Sequence, residues 1–286
     1  MKHIFIVNPT AGNKRYKEII PNIEKYCKKE NIDYKIHLTE KEKHATEIAE
    51  SYKKEKYIIY ACGGDGTVNE VATGLLGSKN MLGILPIGSG NDFYRTLDKI
   101  DDLHIESDMG KVNETYFINI ASMGFDSEVS YQSIKLRDKV PVKLYYPACI
   151  LNAMISYKFK NITFKLNGIK MTDKYTMVTI CNGTQYGGGI KIAPKAKIDD
   201  HLFDVYFVDR VSKLLVPSII SKVQKGKHEN DPRFHKRQTD KIIVTAKKDM
   251  IFQVDGEVLV GKKFEIKLIK KAVTIYNNKK LVKEII

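Results

Sequence analysis

The stretch Tyr57-Ile58-Ile59-Tyr60-Ala61-Cys62-Gly63-Gly64-Asp65-Gly66-Thr67-Val68-Asn69-Glu70 reads as a strand, a glycine-rich loop and the start of a helix. Its first six residues are a continuous apolar run of strand length, the mark of a strand buried on both faces. Gly63, Gly64 and Gly66 let the backbone turn tightly and approach a ligand closely. The unsatisfied N–H groups at the helix start then face an anion, normally phosphate. Asp65 alone is a poor phosphate ligand, but it suits a divalent cation held between its carboxylate and the phosphates. Three glycines around one aspartate exceed what an ordinary β-α turn with an Asp cap needs.

Two further loops repeat the pattern. Asn8-Pro9-Thr10-Ala11-Gly12-Asn13-Lys14 follows the apolar run His3–Val7, and Pro86-Ile87-Gly88-Ser89-Gly90-Asn91-Asp92-Phe93 follows the run from Met81 to Pro86. Three such loops at the carboxyl ends of strands predict a crevice for a phosphorylated ligand. Lys17–Lys29, Ala45–Lys54 and Val68–Leu76 carry helix periodicity, and Tyr34–Leu38 reads as another strand. This alternation predicts an α/β domain of three layers, a parallel sheet with helices on both faces. After about Asp108 strand-like runs dominate, among them Tyr116–Ile120, Asn161–Leu166, Thr176–Asn182, Leu202–Val208, Lys241–Ala246, Ile251–Val254, Glu265–Ile269 and Val273–Tyr276. Two helices, Val142–Tyr157 and Lys213–Gln224, interrupt this antiparallel pattern. The expected division is an α/β domain over residues 1–120 and a β-rich domain over 121–276.

The chain has 286 residues, 43% of them hydrophobic and 29% charged, which is globular composition with room for a sizeable core. Its net charge of +14 invites a polyanionic neighbour, whether nucleic acid, an anionic membrane surface or a phosphorylated substrate. Solvated lysines at loops and strand edges account for the same excess. Known fingerprints fail: Phe93 stands where a dinucleotide G-x-G-x-x-G needs its third glycine, and no Walker loop or protein-kinase motif occurs. Cys27, Cys62, Cys149 and Cys181 show no zinc or C-x-x-C spacing and read as buried, inert thiols. No signal-like segment precedes the first strand, so a reduced, cytoplasmic, soluble protein is the expectation. The apolar window Val140–Tyr157 is broken by Pro141, Lys143 and Pro147 and is a poor membrane span. It either packs on the second domain's sheet or inserts at a membrane interface.

Asn8 to Gly12, the loop from Gly63 to Glu70, and the run from Pro86 to Phe93 with Arg95 beyond it together resemble the diacylglycerol kinase catalytic family. Ala196-Lys197-Ile198-Asp199-Asp200 and Val254-Asp255-Gly256-Glu257 fit as well. The resemblance spans essentially the whole chain. It implies a C-terminal domain of antiparallel β-sandwich type, with a tail of about residues 277–286 packing back on the first domain. It implies ATP contacts at Asn8, Pro9, Thr10, Ala11, Gly12, Thr39, Gly64, Asp65, Gly66, Thr67, Val68, Asn69, Glu70 and Ser89. Glu257 matches the proton acceptor from a lipid hydroxyl, and Asp65 the residue linked to catalytic Mg²⁺. A structural Mg²⁺ matches Lys197, Asp200 and Leu202, the first and last through main-chain carbonyls. His201 departs from the glycine usual there and is strained if the backbone takes φ > 0.

The expected activity is therefore transfer of the γ-phosphoryl of ATP to a lipid hydroxyl, with diacylglycerol as acceptor. The glycine loop alone also admits NAD kinases and 6-phosphofructokinases; the block from Pro86 favours the lipid kinases. Nucleic-acid binding rests on charge only, without an aromatic platform or recognition helix, and no nucleic-acid partner is expected. The lipid requires reversible contact with an anionic membrane surface. A homodimer is an analogy, since oligomeric state is not written in the sequence.

Overall fold

The computed structural model describes residues 1–136, 139–140 and 142–286. Strands β1 (His3–Val7), β2 (Tyr34–Leu38), β3 (Ile58–Gly63) and β4 (Met81–Pro86) alternate with helices α1 (Tyr16–Lys29), α2 (His44–Ser51) and α3 (Asp65–Leu75). They pair in parallel in the order β2-β1-β3-β4. Side chains of a strand point alternately to the two faces, and β1 divides its residues accordingly. Ile4 and Ile6 pack with Ala45, Ile48, Val68 and Val71 of α2 and α3. Phe5 and Val7 pack with Ile19 and Ile23 of α1 on the other face. This is the three-layer arrangement expected from the alternation.

Helix α4 (Asp92–Leu97) leads to β5 (His104–Val112), β6 (Thr115–Phe117) and β7 (Ile120–Gly124). Helices α5 (Phe125–Leu136) and α6 (Val142–Ser156) precede strands β8 (Ile162–Leu166), β9 (Ile169–Asp173), β10 (Tyr175–Cys181) and β11 (Phe203–Asp209). After α7 (Val216–Gln224) come β12 (Phe234–Thr239), β13 (Lys241–Val254), β14 (Glu257–Tyr276) and α8 (Lys279–Ile285). The later strands pair antiparallel around an aromatic core that includes Phe164, Phe203, Phe207, Phe252 and Phe264. Helices α5, α6 and α7 cover another face through Phe125, Cys149, Ala153 and Ile219. Strand β14 joins the two regions: it pairs antiparallel with β13 and β5, and parallel with β4 at Thr274 and Ile275.

The structure departs from the sequence reading in detail. The segments Lys241–Ala246 and Ile251–Val254 are one strand, β13, with a register shift between Thr245 and Met250. The two pieces expected over 265–276 are one strand with an irregularity between Ile269 and Val273, where Lys271 has φ 49°. Helix α5 was not expected, because Ser127 and Gln132 occupy buried positions on it and blur the apolar period. The window Val140–Tyr157 becomes α6, which buries Cys149 and Ala153 and leaves Leu144, Leu151 and Ile155 exposed. Pro141 of that window lies outside the described residues. Among the described residues no helix is long and apolar enough to cross a membrane. All four cysteines are buried and free.

Helix α8 closes the first region. Leu281 and Ile285 bury against Phe5, Ile19 and Tyr60, Asn22 donates to the Ile285 carbonyl at 2.9 Å, and Lys29 meets Glu284 at 2.7 Å. The exposed ion pair contributes little beside the burial of these apolar side chains. Leu281→Ala should therefore lower the unfolding free energy by about 2–5 kcal/mol, read from urea denaturation. A change below about 0.5 kcal/mol would mean that α8 is not part of the core.

Candidate active site

The carboxyl ends of β1, β3 and β4 carry the three glycine-bearing loops. Asn8 organises the first: its Oδ1 accepts from the Thr10 N–H at 2.9 Å and Oγ1 at 2.8 Å, while its Nδ2 donates to Thr67 Oγ1 at 3.2 Å. The second and third loops lie on one another. The N–H groups of Ile87 and Gly88 both donate to the Gly63 carbonyl, at 3.2 and 3.1 Å. A Cβ on Gly88 would stand 2.3 Å from Gly64 Cα, and one on Gly12 (φ 56°) would stand 1.8 Å from the Ile87 carbonyl oxygen. Glycine is thus required for this close approach. Gly64 precedes α3 and offers no side-chain cap, so the first N–H groups of the helix are left for a ligand.

These loops form one wall of a cleft of about 760 Å³. Asn119, Tyr186, Gly188, Gln253 and Asp255 line the opposite wall. A second groove, about 580 Å³, adjoins it and shares Asn8, Thr10 and Thr67. Of the residues expected at the nucleotide, Asn8, Thr10, Ala11, Gly12, Gly64, Asp65, Gly66, Thr67 and Ser89 line the cleft. Pro9, Thr39 and Glu70 line the adjoining groove. Val68 and Asn69 line neither: Val68 is buried in the core, and Asn69 Nδ2 donates to the Tyr116 carbonyl at 3.1 Å. Of the first loop's last two residues, Asn13 and Lys14, the side chains lie outside the described ones.

Three carboxylates line the cleft, and two of them had been given no role from sequence. Asp65 Oδ1 accepts from the Phe93 N–H at 2.9 Å. Asp92 Oδ2 accepts from the Gly188 N–H at 2.7 Å and Oδ1 from Gln185 Nε2 at 3.2 Å. Burial raises the Asp92 carboxyl; the Gly188 N–H holds part of that back, and the nearby Asp65 charge adds to it. Asp255 accepts three main-chain N–H bonds: Ile118 at 2.8 Å and Asn119 at 3.1 Å on Oδ2, Ile120 at 2.8 Å on Oδ1. Burial still pushes its carboxyl up to about 7. Glu257 lies two residues on, at the start of β14, exposed and not among the residues lining the cleft. The run Gly187-Gly188-Gly189 was the unread sequence signal for the opposite wall.

The donor set around Asp65 fits a Mg²⁺ ion. A Cβ on Gly90 would stand 3.0 Å from Asp65 Oδ2 and 3.6 Å from Asp92 Oδ2, so both carboxylates border the space that this glycine leaves open. Oxygen donors of this kind suit Mg²⁺, which completes its shell with phosphate and water. Among the described residues no group of three or more His, Cys, Asp or Glu side chains is arranged to hold a metal by itself. Lys197, Asp200 and Leu202 lie apart from the cleft lining, on the segment before β11. Burial raises the Asp200 carboxyl; the Leu202 N–H, at 3.2 Å from Oδ1, holds part of that back, and Asp204, Asp108 and Asp199 add to the rise. His201 does take φ 64°, and its strain is offset by bonds from its N–H (2.8 Å) and Nδ1 (3.0 Å) to buried Asp108.

Residues 2–121 match the model of the diacylglycerol kinase catalytic domain, and residues 119–277 match that of the YegS C-terminal NAD kinase beta sandwich-like domain. The chain belongs to the diacylglycerol kinase family. A diacylglycerol kinase of Staphylococcus saprophyticus is 31% identical over 267 residues, covering 88% of this chain and 87% of that protein. One of Staphylococcus haemolyticus is 29% identical over 88% of this chain and 81% of its own. A crystal structure of a diacylglycerol kinase from Bacillus anthracis superposes with a TM-score of 0.69 at 20% identity, and another from that organism reaches 0.75 at 23%, each covering 98% of both chains. These structures establish the fold: a parallel N-terminal part and an antiparallel, sandwich-like C-terminal part. The protein is accordingly a lipid kinase.

Two outcomes follow for this site. Gly88→Ala forces the two loops apart and should weaken nucleotide binding at least about tenfold, or about 1.4 kcal/mol, read by calorimetry; unchanged affinity would remove the interlocked loops from the binding site. Asp255 binds its proton more tightly folded (about 7) than unfolded (3.8), so its contribution to stability is full below about 3.8 and is lost as pH rises toward 7. Thermal midpoints of Asp255→Asn should decline less steeply than wild type over that window; parallel declines would contradict the burial of this carboxyl.

Proposed function

We propose that this lipid kinase transfers the γ-phosphoryl of ATP to the free hydroxyl of diacylglycerol, giving phosphatidic acid. The observation that carries this reading is an apolar slot of about 380 Å³ beside the phosphate cleft. Val129, Val208, Val216, Ile219 and Val223 line it, and it shares Ser130, Tyr186 and Gly187 with the cleft. A soluble nucleotide acceptor has no use for such a lining, whereas an acyl chain does. The Staphylococcus relatives are named diacylglycerol kinases, which supports the same acceptor.

In the reaction the hydroxyl oxygen bonds to the γ-phosphorus, the bond from that phosphorus to the β–γ bridging oxygen breaks, and ADP leaves. The hydroxyl proton passes to a carboxylate, for which Glu257 is the candidate; Asp255 fixes the turn that carries it. The loop N–H groups and the start of α3 hold phosphate oxygens, and Asn8 and Thr67 orient the chain of phosphates. Mg²⁺ held at Asp65 would neutralise phosphate charge. A second Mg²⁺, held by the Lys197 and Leu202 carbonyls and the Asp200 carboxylate, would stiffen the segment before β11.

The acceptor resides in a membrane, so the enzyme docks on one from the cytoplasmic side, where ATP is. Leu151 and Ile155 of α6 are exposed, as is Leu214, whose neighbour Lys213 reaches the Met154 carbonyl of α6 with its Nζ at 2.6 Å. The chain leaving α6 supplies Lys158 and Lys160, which with Lys174, Lys247 and Lys248 line a basic groove. Apolar side chains next to lysines match an anionic lipid surface.

The test is radiolabelled ATP with diacylglycerol in mixed micelles. Label should appear in phosphatidic acid, and Glu257→Gln should cut kcat by about 10²–10⁴. Label in NAD instead, with none in lipid, would refute the reading; full turnover by Glu257→Gln would move the proton acceptor elsewhere. Leu151→Asp combined with Ile155→Asp should weaken sedimentation with phosphatidylglycerol vesicles yet preserve turnover of a soluble short-chain diacylglycerol. Undiminished vesicle binding would place the docking face elsewhere.

A further inference from the structure

Gln253 lies on β13, two residues before Asp255. Its neighbours Phe252 and Val254 point into the aromatic core, so the alternation of the strand turns Gln253 to the other face, toward the cleft that it lines. Only 4% of the residue is exposed. Its Oε1 accepts from the Gly256 N–H at 2.8 Å, and that donor fixes which end of the amide is oxygen. Among the described residues Nε2 makes no hydrogen bond, and it is not sealed off from solvent. A buried, oriented amide thus offers two N–H groups to the cleft from the wall opposite the phosphate loops.

The other side-chain donors on that wall are spent. Asn119 Nδ2 donates to the Gln185 carbonyl at 3.0 Å, the Tyr186 hydroxyl to the Asp126 carboxylate at 3.1 Å, and Ser130 Oγ to the Asp126 main-chain carbonyl at 3.2 Å. The Asp255 carboxylate only accepts. A diacylglycerol that brings its free hydroxyl to Glu257 carries an ester carbonyl on the next carbon of its glycerol backbone. That carbonyl leaves water when the lipid binds and needs a donor, because an unpaired polar group in a buried site costs free energy. Gln253 sits at the base of the turn that presents Glu257, on the side of the cleft away from the phosphate loops. We propose that Gln253 recognises the acceptor lipid, its Nε2 donating to the ester carbonyl beside the reacting hydroxyl. Resting on the diacylglycerol kinase reading above, this deepens it: the slot takes the chain, whereas the amide selects acylated glycerols over alcohols without a carbonyl. Since the turn already holds Oε1, the donor is oriented before the lipid arrives.

The experiment compares diacylglycerol with the dialkylglycerol of equal chain length, in which CH₂ replaces each ester carbonyl, both in mixed micelles. Wild type, Gln253→Met and Gln253→Glu are tested in the full chain. Wild type should use the ester about tenfold or more better in kcat/KM, the worth of one hydrogen bond whose donor is otherwise left unpaired. In Gln253→Met this preference should shrink to within about twofold of unity, chiefly through KM for the ester. Gln253→Glu keeps an oxygen for the Gly256 N–H and loses the donors, so its preference should shrink likewise. A slackened turn harms both lipids equally, so the ratio separates lost recognition from structural damage. Wild type that uses ester and ether equally overturns the proposal. So does a variant that keeps the wild-type ratio, including one that loses turnover on both lipids in parallel. If Gln253→Met does not fold, Gln253→Glu decides on the same ratio. Wild type that phosphorylates no lipid overturns the kinase reading and this inference together, whereas turnover of diacylglycerol without preference for the ester overturns this inference alone.

Discussion

Three main-chain N–H groups, from Ile118, Asn119 and Ile120, converge on the carboxylate of Asp255. The Asp255 N–H returns a bond to the Ile120 carbonyl at 3.0 Å. This clasp ties the tip of the β13–β14 hairpin to the segment where the chain passes from the α/β half into the antiparallel half. These bonds offset part of the cost of burying this carboxyl at a wall of the cleft, though burial still pushes it up to about 7. The turn itself is a two-residue hairpin with both central residues at positive φ, Asp255 at 46° and Gly256 at 92°. Strand β14 then carries the constraint back across the molecule to β4, whose own end bears the Gly88 loop. The two walls of the cleft are thus fixed by one strand and one turn.

Within that frame the chemistry is divided by polarity. On one side, loops too close for any Cβ present N–H groups and the Asp65 and Asp92 carboxylates. On the other, helices α5 and α7 and strands β10 and β11 enclose an apolar slot. The cavities meet at Tyr186, whose hydroxyl holds Asp126. A kinase acting on a lipid has to solve both problems within one molecule's length, and the shared lining residues are where the two solutions join.

The α/β half was legible because its strands are continuous apolar runs and its helices keep their period: β1, β2 and β4 fall at the residues expected and β3 within one, while the helix ends differ by up to three. The phosphate loops were legible because glycine is required where backbones touch. The resemblance named ATP contacts in one unbroken run, Gly64 to Glu70. A helix turns about 100° per residue, so Val68 and Asn69 face the core and β6, away from the cleft. The motif at 254–257 drew attention to Glu257, whereas the cleft is lined by its neighbour Asp255; burial, not motif membership, separates the two. Asp126 and the slot were illegible for a different reason: their residues come from five elements between positions 125 and 223, with no spacing to relate them.

The account stands or falls on whether a lipid tail occupies that slot. Photo-crosslinking with a diacylglycerol carrying a diazirine in its acyl chain, followed by peptide mapping, addresses this directly. Labelling should concentrate on 125–133 and 216–223 and be competed away by unlabelled diacylglycerol. Labelling confined to the exposed face of α6, or unaffected by competitor, would contradict the account.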